Sequence, residues 1–189
     1  MTTQPQFGFA RHILLALDEN SVPNLATVVL MPFGRLTSTA QFSLTKNELR
    51  ATLTGPEDAT TEQRLDLSGC ARAFGTHALV NDGWLARLHD VHGPAPQSHR
   101  CAVSSVSEKG TSGLAAEVVE LTTEFRGNYE VSVAAGTFET AVVAIGFGPL
   151  PPLEVAVRKH DQLLIRIRWP STGTEVELKE LIETPCDQV

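Results

Sequence analysis

Apolar residues recur along this chain at every second position. In QLLIRIRW, residues 162–169, Leu163, Ile165, Ile167 and Trp169 fall on one side of an extended chain, with Arg166 and Arg168 on the other. LEVAVR does the same with Leu153, Val155 and Val157, and NYEVSV with Tyr129, Val131 and Val133. Successive side chains of a strand point to opposite faces, so this alternation predicts strands with one wet face, as antiparallel sheets have. The connections agree. FRGN, AAG, KHDQ and PSTG stand between the segments and carry the Gly, Asn, Asp and Pro that short hairpin turns use. A largely antiparallel run of five or six strands is expected from about residue 116 to residue 182.

The first half repeats the pattern less regularly. HILLAL, ATVVLM, LTSTAQFSL and ELRATLT read as strands, punctuated by SVPN and PFG. TGPEDATTEQ reads as a polar loop or a helix start, with Thr60 or Thr61 as the N-cap. Short helices are expected near 58–66 and 82–90. In RLDLSGCARAFGTHALV, Gly69 and Gly75 oppose a long helix. GFGPLPPLE, 146–154, is expected to turn a corner between sheets or to break an edge strand. The predicted fold is mainly β: one domain over 1–189, an antiparallel β-sandwich or jelly-roll-like barrel with one or two short helices.

Length and composition fit that expectation. A chain of 189 residues buries roughly 70% of its unfolded surface, so neither disulfides nor a metal are needed to hold a core. The formal charge of −7 repels phosphate backbones. The nearest basic stripe, Arg158, Lys159, Arg166 and Arg168, reads as the wet face of two strands, so nucleic acid is not an expected partner. Cys70, Cys101 and Cys186 are widely spaced and odd in number, which points to a reducing compartment. The apolar run 13–17 is bordered by Arg11 and Asp18 and is too short for a signal peptide or a membrane span. The expected location is the cytoplasm, or a particle assembled there.

The most chemically loaded stretch is WLARLHDVHGPAPQSHRC, 84–101, which holds three of the six histidines and one of the three cysteines. His89, His92, His99 and Cys101 are the candidate metal ligands, with zinc the metal and Asp90 nearby. His89 and His92 share a face only on a helix, whereas His99 and Cys101 share one on a strand. The spacing matches neither a paired CxxC nor HExxH. The competing reading is a surface loop tied by GPAPQ, its imidazoles solvated or bonded to backbone, with Trp84 packed beneath it.

Other chemistries have weaker support. Cys70, His77, Asn81 and Asp82 stand in a permissible order for a cysteine nucleophile, but no helix start lowers the thiol pKa, and a small core residue is the simpler reading of Cys70. GxSxG, GxxxxGK[ST] and GxGxxG are absent. Glu175, Glu177, Glu180 and Glu183 read as a solvated face rather than an acid–base pair. With eight Phe, two Trp and one Tyr, no stacking platform for bases or sugars is visible. EFRGNYEV, 124–131, resembles over a few residues a Tyr-Arg-Gly strand of the trimeric dUTPases, which are jelly-roll enzymes. The glycine-containing turn comes too soon and the other motifs of that family are missing, so no activity is carried over.

The functional expectation is therefore a non-enzymatic binding or assembly module with a protein partner. A structural subunit of a homo-oligomer or of a shell such as a capsid is one concrete form. The alternative is a metal-binding domain or metal-dependent hydrolase built on the 89–101 cluster. No membrane partner is expected, and no cofactor beyond the zinc of that alternative.

Overall fold

A computed structural model describes residues 2–4, 9–32, 35, 37–55, 59–77, 83–90, 92–104 and 114–182. The architecture is mainly β, in two sheets. The first holds β1 (Thr2–Gln4), β2 (Phe9–Leu17), β3 (Pro23–Pro32), β4 (Ser38–Leu44), β5 (Glu48–Thr54) and β6 (Thr60–Asp66). The second holds β7 (Phe74–Gly75), β8 (Gln97–Val103), β9 (Glu117–Val133), β10 (Gly136–Gly146), β11 (Leu153–Arg158), β12 (Leu164–Trp169) and β13 (Thr174–Glu177). In both sheets strands adjacent in sequence are adjacent in space, so the connectivity is that of a meander. Every pair is antiparallel except β7 with β8. A single 3-10 helix, Gly83–Leu88, stands among the described residues.

The alternation of the first sheet folds as the pattern predicts. Val28 pairs with Ile13 and Ala40, and Phe42 with Ala26 and Ala51. These positions share the inner face. They meet Phe74, Ala102, Leu114 and Ala116 of the second half in one buried cluster, so this cluster is the joint between the sheets. Three contacts define the joint. The Phe42 and Phe74 rings lie 4.9 Å apart. Gln63 donates to the Ala116 carbonyl and accepts from its N–H, both at 2.8 Å. Arg11, at an inner position of β2, is 3% exposed and reaches across to the Thr76 carbonyl (2.8 Å), the Ser104 carbonyl (3.1 Å) and the Ser104 hydroxyl (2.6 Å).

The second sheet departs from the simple pattern at two bulges. The glycine of FRGN does not make a hairpin turn. β9 runs unbroken through it, and the register with β10 slips between Val142, opposite Gly127, and Val143, opposite Phe125. Arg126 is the extra residue, so odd positions before it and after it face opposite sides of the sheet. Leu121 accordingly belongs to the large cluster with Ile145 and Val155, while Val131 packs in a smaller one with Ala156 and Ile165. A second slip sets Ala156 opposite Arg166 but Val157 opposite Leu164. It divides the expected stripe: Leu163 and Ile165 face the small cluster, and Leu164, Ile167 and Trp169 the large one. Both faces of β10 and β11 are thus covered.

Two further expectations are corrected. Residues 60–66 form strand β6 rather than a helix, because every residue from Thr60 to Asp66 finds a partner in β5, and threonine suits a pleated surface. The short helix expected near 82–90 is present as the 3-10 helix Gly83–Leu88. The proline-rich segment after β10 joins two neighbours of one sheet, so it is a hairpin connection and not a corner between sheets.

Gly127 sits at φ +131°, and a Cβ there would approach the Tyr129 ring at 3.1 Å. A Gly127→Ala variant should lose about 1–3 kcal/mol from backbone strain. Chemical denaturation would read it, and an unchanged midpoint would mean that β9 relaxes at no cost.

Candidate functional site

The 3-10 helix positions the first candidate. In a 3-10 turn, residues three apart eclipse. Leu85 and Leu88 therefore point the same way, and with Ala86 they cover the large cluster of the second sheet. The chain leaves the helix at His89, whose N–H donates to the Ala86 carbonyl at 3.2 Å. This sets the His89 ring parallel to Phe125, centroids 6.2 Å apart, with Nδ1 3.2 Å from the Thr123 hydroxyl. His99 arrives from β8, and its Nε2 lies 3.0 Å from the same hydroxyl. Thr123 is wholly buried.

Two imidazoles therefore share one buried hydroxyl. That hydroxyl carries one proton and can accept others. The neutral arrangement has Thr123 donating to one ring and accepting from the other, so the tautomers of His89 and His99 are tied together. Burial lowers the pKa of His99 below that of an ordinary imidazole, and the neighbouring His89 lowers it further. Cationic charge on the His99 ring is disfavoured.

A depressed histidine pKa means that the unfolded chain binds the proton more readily. The contribution is present above the unfolded-state value near 6.5 and is lost as pH falls toward the lower native value. Melting temperature should therefore fall on acidification below about pH 6.5, and His99→Gln should flatten that slope. An equally steep slope in the variant would place the acid sensitivity elsewhere.

The other two candidates lie apart from this pair. His92 is exposed, and its backbone N–H donates to Asp90 Oδ1 at 2.9 Å. The loop carrying it is closed by Gln97, which accepts from the Asp90 N–H and donates to the Asp90 carbonyl. Cys101 shares the β8 face of His99, as strand alternation requires, but is fully buried in the apolar cluster with Leu121 and Trp169. Among the described residues no three His, Cys, Asp or Glu side chains gather as a metal site. Cys70 packs half-buried against the joint between the sheets, and His77 meets Trp169 edge-on at 5.4 Å. Asn81, Asp82, Glu183 and Cys186 lie outside the described residues.

The basic stripe is paired with acids. Arg158 bonds Asp161, Lys159 lies 3.8 Å from Glu139, and Arg166 and Arg168 converge on Glu175 at 3.6 and 2.9 Å. Among the described residues, no helix is long and apolar enough to cross a membrane.

Two features were missed from sequence. Thr123 and Phe125 complete the imidazole site from β9, 24 or more positions away from the histidines, and nothing local marks them. The second is an apolar patch on the outer face of the first sheet. Leu14 is 71% and Leu25 54% exposed. β2 pairs Leu14 with Thr27 and Ala16 with Leu25, so the two leucines sit diagonally on one face beside exposed Ala16. The signal was present: ILL, 13–15, has a leucine where a one-sided strand needs a polar residue.

No protein family, curated protein or solved structure matches the chain.

Proposed function

We propose that this protein is a non-enzymatic binding and assembly module that associates with copies of itself through the outer face of its first sheet. The observation that carries the reading is the exposed pair Leu14 and Leu25, which stand diagonally on one sheet face; the other exposed large apolar side chains among the described residues are Tyr129, Leu150 and Ile182. Hiding each leucine is worth roughly 1.5–3 kcal/mol, and a two-fold contact would hide four of them. β6 and β13 each end a sheet, with no further strand paired beyond them among the described residues, and edge strands of this kind suit growth into a larger shell. The odd number and wide spacing of Cys70, Cys101 and Cys186 support a reducing compartment such as the cytoplasm, or a particle formed there, as the place of assembly.

Sedimentation velocity across a wide concentration range tests this. The wild-type chain should show a defined oligomer. Leu14→Glu combined with Leu25→Glu should weaken association by roughly a hundredfold or more, because a buried unpaired carboxylate costs several kcal/mol. A wild-type chain that stays monomeric at high concentration sinks the proposal. So does a double variant that assembles as well as the wild type.

A further inference from the structure

A cleft of 170 Å³ lies between the β2–β3 turn, the segment entering β7 and the 3-10 helix. Its apolar lining includes Pro23, Phe74, Leu85 and Leu88. Among the described residues its charged lining is Arg72 and Arg87, and of these Arg72 is paired with the Asp18 carboxylate at the rim. The whole chain carries 22 acids against 15 Lys and Arg, so two guanidiniums lining one cleft run against the composition.

Both cations are held in place. The Arg87 guanidinium lies over the Trp84 ring, 4.8 Å from its centroid, a stacking that leaves its N–H edge open. Arg72 is set by Asp18 at 3.2 Å. Asp18 is itself fixed, because its Oδ1 accepts from the N–H groups of Asn20 and Val22 at 2.9 Å each. Those hydrogen bonds, led by Val22 and helped by Arg72, hold its carboxyl below the usual carboxylate range. The wall formed by the β2–β3 turn is therefore braced before any ligand arrives.

We infer that this cleft, lined by Arg72, Trp84 and Arg87, binds a small organic carboxylate with a ring-sized apolar body. The volume sets the body: an apolar cavity of about 150 Å³ takes one benzene. The guanidinium fork sets the head, since its paired N–H donors match the two oxygens of a carboxylate. Neither Leu14 nor Leu25 lines the cleft, so its ligand affinity and the assembly of the chain are read by different variants.

Benzoate is the probe, followed by isothermal titration of the intact chain, with benzyl alcohol as the uncharged control and sulfate as the charge without a body. Benzoate should bind with a dissociation constant on the order of 1 mM, and each control about tenfold or more weaker. Arg87→Gln should weaken benzoate about tenfold while leaving the melting temperature unchanged, because Arg87 is exposed and serves no core. Arg72→Gln should weaken it as well. Failure of benzoate to bind at millimolar concentration overturns the inference, as does equal binding of benzyl alcohol or of sulfate. Unaltered affinity in the Arg87→Gln variant also overturns it.

Discussion

Replacing Phe42 with alanine should lower the stability of the fold by about 3–5 kcal/mol, the range for deleting a fully packed aromatic ring. Phe42 is 2% exposed and stands on β4 at the centre of the inner face. Its ring meets that of Phe74 across the joint at a tilt of 54°, a geometry that adds roughly 0.5–1.5 kcal/mol beyond burial alone. The neighbours opposite it in the sheet, Ala26 and Ala51, are too small to fill the space left behind. For a chain of this size the loss corresponds to a melting temperature lower by on the order of 10 °C. Leu14→Ala on the outer face of the same sheet is the internal control. It removes a side chain that is already largely in water, and the isolated chain should keep its stability within about 0.5 kcal/mol. Equal losses at Phe42 and Leu14 would mean that the sheets do not pack through this face.

Arg11→Met should cost about 2–4 kcal/mol, although methionine is more apolar and fits the same inner position. The reason lies in what the guanidinium leaves behind. The carbonyls of Thr76 and Ser104 and the Ser104 hydroxyl all accept from Arg11 inside the joint, and each buried acceptor deprived of its donor costs about 1–3 kcal/mol. Relief of the desolvation that the buried cation suffers offsets part of this. Arg11→Lys retains the charge but not the fork, and one ammonium cannot reproduce the guanidinium's geometry toward β7 and the end of β8, so an intermediate loss is expected. Urea denaturation of the three chains should rank wild type, lysine and methionine in that order. A methionine variant as stable as the wild type would show that desolvation of the cation cancels its hydrogen bonds.

Arg11 also marks where sequence reading stops. At the border of an apolar run it looks like a solvated flank. Only the register Arg11–Leu30 turns it inward, and the acceptors it serves are 65 and 93 positions away. The same holds for the imidazole pair. The spacing of His89, His92, His99 and Cys101 was visible. That His89 and His99 meet at Thr123, while Cys101 points into the core and His92 into solvent, depended on a helix laid over one face of a sheet and a strand paired beside it.

Local chemistry by itself determined the mainly β architecture, the strands from β2 to β5, the five strands that close the chain and the short turns between most of them. These follow from period-two alternation and turn residues, which act over neighbouring positions. The tertiary structure alone decided the rest. It made FRGN a bulge, because β10 offered a partner on both sides of it, from Thr122 to Val133, and a continued ladder satisfies more backbone groups than a turn. It made 60–66 a strand, because β5 had an open edge. It split the Leu163–Trp169 stripe between two clusters, because one extra residue in a strand reverses every face beyond it.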